Sequence, residues 1–345
     1  MEKIKIFLFR ISPDFLKNDL HPRGIRPPYV LKYIQSLLKK HKDFDVYFSD
    51  SYINHQTIDQ VSQEVNKIKP DIIGVYLLSS DLYSLNNFIE NTLKEVNCIY
   101  VVLGPGSLYL ESSHLLRNKS NIIIMAGEAE KRFVELAKSY KKGDKNLKQF
   151  SSLEPLQVDD LNNLSFPSYS RQELKKYYFT YPLKVFKPLR WGHVLSSRGC
   201  PHNCIFCSPV MRESYGKTLR LRHPKNVVNE IIFQKKIGAN IFAFDDDNFT
   251  SSREHVFKLC NEIMKNKINI PWITHGRVDD LDKDMLDIMK KAGCVMIRVG
   301  VESGSAKIIS KLCKGNPDSW IERAKRVFSY SKKIGIGRIA LFLIG

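Results

Sequence analysis

The chain reads as an α/β protein built of two parallel-sheet halves, and three observations predict this. Short apolar runs alternate with amphipathic stretches over residues 1–142, the pattern dissolves into polar, Pro-bearing sequence over 143–188, and a second alternation fills 189–345. Strands separated by helices imply parallel pairing, because a parallel neighbour is reached by a crossover, and such a sheet is covered on both faces. The 345 residues, 43% of them hydrophobic, exceed one ordinary core and suffice for two domains of about 150 residues each.

In the first half the runs Ile4 to Phe9, Val46 to Ser49, Ile72 to Leu78, Tyr100 to Leu103 and Ile122 to Met125 read as strands, short and apolar. Between them Tyr29 to Lys40, Ile58 to Ile68, Leu85 to Val96 and Glu130 to Tyr140 carry apolar residues at helical spacing. The half is therefore doubly wound, and ligands of such sheets bind beyond the carboxyl ends of the strands. The linker, 143–188, includes Leu161-Asn162-Asn163-Leu164-Ser165-Phe166-Pro167, and Tyr177, Tyr178 and Tyr181 suit packing between domains.

The second half repeats a β/α unit. Strands are expected at His193 to Ser197, Ile241 to Phe244, Trp272 to His275, Val295 to Val301 and Arg338 to Ile344, with helices at Pro224 to Lys236, Arg253 to Lys265, Lys283 to Ala292 and Ser319 to Lys333. Right-handed units of this kind curl into a partial TIM-type barrel with the chemistry at the carboxyl strand ends. Five strands are expected, and an open edge after the fifth would expose apolar backbone, a liability.

Composition narrows the class. No apolar run approaches the roughly 20 residues of a membrane span, and Met1-Glu2-Lys3-Ile4-Lys5 lacks a secretory leader's apolar segment, so a cytoplasmic protein without membrane insertion is expected. Seven cysteines suit a reducing compartment better than a disulfide framework. The net charge of +18 could serve nucleic acid, but pairs such as Lys39-Lys40, Lys141-Lys142, Lys235-Lys236 and Lys332-Lys333 are dispersed near helix ends, where cations complement the dipole. A solvated surface is the expectation, and nucleic acid is not the expected partner.

Arg198-Gly199-Cys200-Pro201-His202-Asn203-Cys204-Ile205-Phe206-Cys207 carries the chemistry. Thiolates spaced C-x3-C-x2-C can hold three irons of a [4Fe-4S] cluster and leave the fourth iron open to another ligand. Structural zinc would want a fourth protein ligand, usually in paired C-x2-C motifs, and Cys260, Cys294 and Cys313 are isolated. A ferredoxin would supply a fourth cysteine close by, yet the nearest, Cys260, lies inside an expected helix. The motif resembles that of the radical S-adenosylmethionine (SAM) superfamily, C-x3-C-x-aromatic-C, with Phe206 at the aromatic position. That resemblance implies that Cys200, Cys204 and Cys207 bind the cluster, that SAM chelates the open iron, and that one electron splits SAM to a 5′-deoxyadenosyl radical. It also implies a partial (β/α)6 barrel, truncated here after the fifth strand where relatives continue with another strand and helix, and an electron donor such as flavodoxin or ferredoxin.

The strand ends supply candidate SAM ligands. Asp245-Asp246-Asp247-Asn248-Phe249-Thr250 resembles the superfamily's acceptor motif for the SAM amino group, and Asp246 or Asp247 would serve; an Asx turn capping the next helix is the competing role. Arg277 could pair with the SAM carboxylate, or else with Asp279, Asp280 or Glu302. Gly300-Val301-Glu302-Ser303-Gly304-Ser305 resembles the superfamily's Gly-x-Glu-Ser-Gly-Ser, implying that Glu302 and Ser303 meet the ribose hydroxyls, and Gly345 begins the adenine-side motif.

The first half resembles the Rossmann-like cobalamin-binding domain that precedes many radical SAM barrels. Asp19-Leu20-His21-Pro22-Arg23-Gly24 matches the D-x-H-x-x-G in which histidine ligates cobalt and aspartate orients it, but Pro22 departs from the pattern. Arg26-Pro27-Pro28-Tyr29 resembles the loop of relatives that leave cobalt without a histidine, so His21 is either a cobalt ligand or a loop residue. Ser80-Asp81-Leu82 matches the family's S-x-L, and Gly104-Pro105-Gly106 stands where it has paired glycines beside the nucleotide tail, making Ser80, Leu82, Gly104 and Gly106 candidate cobalamin contacts. Gly127-Glu128-Ala129-Glu130 resembles the motif that closes the domain; an acidic helix start is the plain alternative.

Together these resemblances imply a cobalamin-dependent radical SAM enzyme methylating an unactivated carbon of a small molecule. The alternatives are a cyclase or rearrangement enzyme of the same two-domain kind, an RNA methylthiotransferase, and a non-catalytic fragment binding only corrinoid or cluster. Cys98 alone stands in the half where a methylthiotransferase needs a second three-cysteine site.

Overall fold

The computed structural model describes residues 2–11, 25–93, 96–112, 121–178, 189–207, 212 and 215–344. The first sheet holds β1 (Ile4–Arg10), β2 (Phe44–Asp50), β3 (Ile72–Tyr76), β4 (Ile99–Leu103), β5 (Ile122–Gly127) and β6 (Ser152–Leu156), in the order β2-β1-β3-β4-β5-β6 with every pair parallel. Alternation along β1 divides the core. Phe7 and Phe9 pack with Val61, Val65 and Phe88 of helices Ile58–Ile68 and Leu82–Leu93, whereas Ile6 and Leu8 pack with Leu31, Ile34 and Phe133 of helices Tyr29–Leu38 and Glu130–Lys141. Strand order reverses between β1 and β3, which opens a crevice beyond their carboxyl ends.

One element of this sheet lies in the stretch expected to be linker. Ser152–Leu156 pairs in parallel with β5 as β6. Pro155 is tolerated because β6 is an edge, and Gly127, at φ +76°, lets the two backbones close to where an added Cβ would stand 2.4 Å from the Leu156 carbonyl oxygen. Farther on, Val158, Leu161 and Leu164 pack on Tyr33. Tyr177 is buried and donates from its hydroxyl to Asp50 at 2.8 Å, in keeping with a packing role.

The second sheet has the order β13-β12-β11-β10-β7, again all parallel: β7 (Trp191–Val194), β10 (Ile241–Phe244), β11 (Trp272–Arg277), β12 (Cys294–Glu302) and β13 (Gly337–Phe342). Each crossover adds its strand on the same side, through helices Pro224–Lys236, Arg253–Lys265, Lys283–Lys291 and Pro317–Lys333. The expected strand through Ser197 is interrupted, because the backbone N–H of Ser196 turns to the Asp246 carboxylate. The chain then resumes as β8 (Ser197–Arg198), which pairs antiparallel with β9 (Arg220–Leu221). At the outer edge, Leu341, Phe342, Leu343 and Ile344 are exposed. Among the described residues no helix is long and apolar enough to cross a membrane.

Lys32 ties the first half to the connecting segment. Its side chain is fully buried, its ammonium lies 3.4 Å from the Phe48 ring centroid, and it pairs with Glu173 of the short helix Arg171–Leu174. Burial pushes this ammonium down to about 8 despite Glu173. The folded chain therefore releases the Lys32 proton before the unfolded chain does. Between pH 8 and pH 10 the unfolded state binds more protons, and stability should rise with pH by about 2 kcal/mol from this residue. Urea unfolding at pH 8, 9 and 10 should show that rise in the parent and lack it in Lys32→Met; equal slopes in the two chains would refute the assignment.

Candidate functional site

The three motif cysteines converge on one cavity. Cys200, Cys204 and Cys207 line a space of about 210 Å³ together with Phe206, Asp247, Arg277, Glu302 and Lys314, beyond the carboxyl ends of β10, β11 and β12. Gly199, at φ +83°, starts the loop and donates its N–H to Asp247 Oδ2 at 3.0 Å. Cys204 is buried, Cys200 half-buried and Cys207 exposed. Burial pushes the Cys200 and Cys207 thiols up, and metal binding would deprotonate them outright. Three soft thiols on one wall, with Arg277 and Lys314 to offset thiolate charge, form a donor set that fits an iron–sulfur cluster.

Each expected SAM residue has a definite place. Asp247 lines the cysteine cavity, and burial raises its carboxyl. Asp246 does not line it; it is buried behind, accepting from the Ser196 hydroxyl at 2.8 Å and the Ser197 hydroxyl at 2.5 Å, and burial lifts it to about 6. Arg277 takes the competing pairing, gripping Asp279 through two bonds of 2.9 and 2.8 Å, and turns Nη1 to Cys204 Sγ at 3.0 Å.

Glu302 lines the cavity from a left-handed backbone at φ +65°, where the β12–β13 register shifts. Its Oε1 lies 3.1 Å from Lys314 Nζ. Gly300 makes room for this, since an added Cβ would stand 2.3 Å from Glu302 Oε1. Phe206 lies under the Lys314 ammonium, 5.3 Å from it. Ser303 instead accepts from the Ser305 N–H at 3.1 Å, bracing the turn. Gly345 lies outside the described residues, as do Asp19 to Gly24 with His21.

Sequence reasoning missed Lys314, His275 and Arg298, all of which line the cavity. No spacing announces Lys314, which comes after Cys313 in a left-handed turn at φ 50°. His275 stood within an expected strand, and the period-2 alternation of β11 could have turned it inward. Burial, helped by Arg298 and Arg26, lowers it to about 3, and Arg298 Nη1 lies 3.1 Å from its Nε2.

A second cavity, about 280 Å³, lies between the halves and is lined by Arg10, Arg26, Tyr29, Tyr76, Asp245 and Asp247 among others. It sits at the carboxyl ends of β1 and β3, the crevice the topology specifies. Asp245 closes it by accepting from the Tyr29 hydroxyl, lying 2.8 Å from His193 Nδ1 and 3.5 Å from Arg26 Nε. Burial alone would raise that carboxyl, but Arg26, His193 and Tyr29 outweigh it and hold it well below the ordinary range.

The four expected corrin contacts do not line this space. Ser80 donates to Asp81 at 2.7 Å, and Leu82 packs on the core. Gly104 and Gly106 serve loop-on-loop packing: an added Cβ would stand 2.8 Å from the Leu77 carbonyl oxygen or 2.6 Å from that of Leu78. Tyr76 and Leu78 face the cavity instead, with the loop through Pro27 and Pro28.

Comparison with known proteins bears on this geometry. A family model, the Radical SAM superfamily, matches residues 194–345. An uncharacterized methyltransferase of Pyrococcus horikoshii is 27% identical over 336 residues, covering 92% of this chain and 69% of the relative. An anaerobic magnesium-protoporphyrin IX monomethyl ester cyclase of Rubrivivax gelatinosus is 28% identical over 357 residues, covering 97% of this chain but 62% of the relative, so this chain spans only part of either length. The radical SAM methyltransferase TsrM of Kitasatospora setae, solved with cobalamin and a [4Fe-4S] cluster, superposes with a TM-score of 0.79 at 17% identity, over 99% of this chain and 70% of that one. This likeness is one of fold.

The exposure pattern predicts an order of thiol reactivity in the metal-free chain. Iodoacetamide followed by mass mapping should modify exposed Cys207 and Cys313 first, and buried Cys98, Cys204, Cys260 and Cys294 only on unfolding. Early labelling of Cys204 would contradict the site as described.

Proposed function

We propose that this chain, which belongs to the radical SAM superfamily through residues 194–345, is an enzyme that reductively cleaves SAM and, with a corrinoid between its halves, methylates an unactivated carbon of a small molecule. One observation carries the reading: the three-cysteine cavity and the interdomain cavity share a wall, Asp247. The two cavities are therefore neighbours, and a radical made at one would form beside a substrate held at the other. When bound, the cluster supplies one electron to the SAM sulfonium and the corrinoid supplies a methyl group.

The chain's own residues bind, orient and shield. Cys200, Cys204 and Cys207 would hold the cluster, with Arg277 donating a hydrogen bond to the Cys204 sulfur. Asp247 is placed for the SAM ammonium, the Lys314 ammonium for the SAM carboxylate, and Glu302 for the ribose diol. Arg277, held by Asp279, is better placed to tune the cluster than to bind SAM. In the interdomain cavity Tyr29, Tyr76 and the loop through Pro27 and Pro28 would face the substrate and one edge of the corrinoid; at about 280 Å³ the cavity is smaller than a whole corrinoid, whose bulk would lie beyond it.

The five-stranded sheet is read as part of a (β/α)6 barrel. An electron donor such as flavodoxin or ferredoxin would reduce the cluster, and seven unbridged cysteines suit a reducing, cytoplasmic setting. The similarity to the Rubrivivax cyclase favours one second reading, ring formation by the same radical.

Anaerobic reconstitution should give about four irons per chain, and dithionite with SAM should release 5′-deoxyadenosine. Cys204→Ala should abolish both. Asp247→Asn should raise the KM for SAM about tenfold. Incubation with hydroxocobalamin followed by gel filtration should leave a corrin absorption spectrum on the protein. A full cluster and turnover in Cys204→Ala would sink the enzyme reading, and absence of retained corrinoid would sink the methyl-transfer reading alone.

A further inference from the structure

The loop that carries the cysteines is closed by a two-residue neck. Ser197–Arg198 pairs antiparallel with Arg220–Leu221, and the register sets Arg198 directly opposite Arg220. Like charges on opposed residues repel, and here both guanidiniums are largely buried, with side chains 5% and 13% exposed. Such a neck would splay without counter-charges inside the protein.

Those charges come from the other half of the molecule. Glu128, just past β5, receives Arg220 through two parallel bonds, Nη2 to Oε1 at 2.6 Å and Nη1 to Oε2 at 2.9 Å, and its Oε2 lies 3.4 Å from Arg198 Nη1. Glu130, first residue of helix Glu130–Lys141, accepts from Arg198 Nη2 at 2.7 Å. Both carboxylates are fully buried. Glu128 is itself held by the segment that begins with β6: its N–H donates to the Leu156 carbonyl at 2.7 Å, and its Oε2 accepts from the Val158 N–H at 2.6 Å.

We infer that Glu128 and Glu130 are positioning residues for the cysteine loop, fixing where it stands relative to the interdomain cavity. The path is short. Arg198 lies two residues before Cys200 and itself lines the interdomain cavity, so a carboxylate of the first half grips the chain two residues ahead of the first thiol. The inference rests on the reading that this loop carries a cluster. It also gives the Gly127-Glu128-Ala129-Glu130 motif a role beyond an acidic helix start.

The test uses the full, anaerobically reconstituted chain and SAM as the probe. Glu128→Gln and Glu130→Gln keep side-chain shape and remove one charge each. The reduced cluster's electron paramagnetic resonance spectrum should change, its midpoint potential should move, and SAM affinity, read from the SAM-induced spectral shift, should fall about 10-fold or more. Glu130→Asp, which keeps the charge, should recover part of each change. Glu173→Gln removes a charge from the pair that ties the first half to the connecting segment, where Glu173 bonds Lys32 and Ser170 rather than Arg198 or Arg220, and should leave all three readouts as in the parent. If Glu128→Gln does not fold, Glu128→Asp takes its place and should show a smaller change in the same direction. Parent-like spectra, potential and SAM affinity in the Glu128 and Glu130 variants would overturn the inference, as would an equal change in Glu173→Gln. Failure of the parent to take up iron would instead overturn the cluster reading, and the inference with it.

Discussion

Three consecutive carboxylates after β10 cannot share a protein interior unless each finds its own partners, and the rest of the structure is arranged around how they do so. Asp245 turns to the first half, to Tyr29 and Arg26, and to His193 of β7. Asp246 turns back under the sheet and holds the Ser196–Ser197 turn. Asp247 turns forward to Gly199 and the cysteine loop. One short run thus fixes the interdomain surface, the bend that separates β7 from β8, and the start of the cysteine loop.

Their environments also set them apart electrically. Asp245 has cationic and phenolic partners that favour its anion, so it can act as a permanent negative anchor for the Arg26 to Tyr29 loop. Asp246 has only hydroxyl and amide donors against full burial and a like-charged neighbour, and it rises to about 6. Asp247, raised by burial and eased by the Gly199 N–H and Arg198, is the member of the run that both cavities share. A ligand ammonium at Asp247 would supply the counter-charge that burial makes valuable, which is why this carboxylate rather than Asp246 suits SAM.

The fold was legible because its strongest sequence features are local. Buried parallel strands such as Phe7 to Phe9 and Ile241 to Phe244 are continuous apolar runs, and helices such as Ile58–Ile68 carry both stripe and cap. The cysteine loop was legible because its chemistry needs three donors at close spacing. What escaped was non-local. β6 is short, contains Pro155, and exists because Gly127 admits its backbone. Lys314 reaches Glu302 across a turn that no spacing encodes. Gly104 and Gly106, expected to let backbone approach a nucleotide tail, stand close against the Leu77–Leu78 loop of the same half.

The same distinction applies where the two halves meet, because among the described residues buried charge pairs join them beside apolar contacts such as those of Tyr29 and Tyr33 with Leu161 and Leu195. Arg26 with Asp245, and Arg198 and Arg220 with Glu128 and Glu130, are buried or half-buried pairs connecting the two halves, while Asp50 and Lys32 hold the connecting segment through Tyr177 and Glu173. Buried pairs of this kind add little net stability, because desolvation offsets their attraction, but a mispaired one is costly. An apolar interface would tolerate sliding; a set of fixed charge pairs permits one register. For the proposed chemistry at two neighbouring cavities that share Asp247, register is the quantity that matters, and charge pairs specify it more than they add strength.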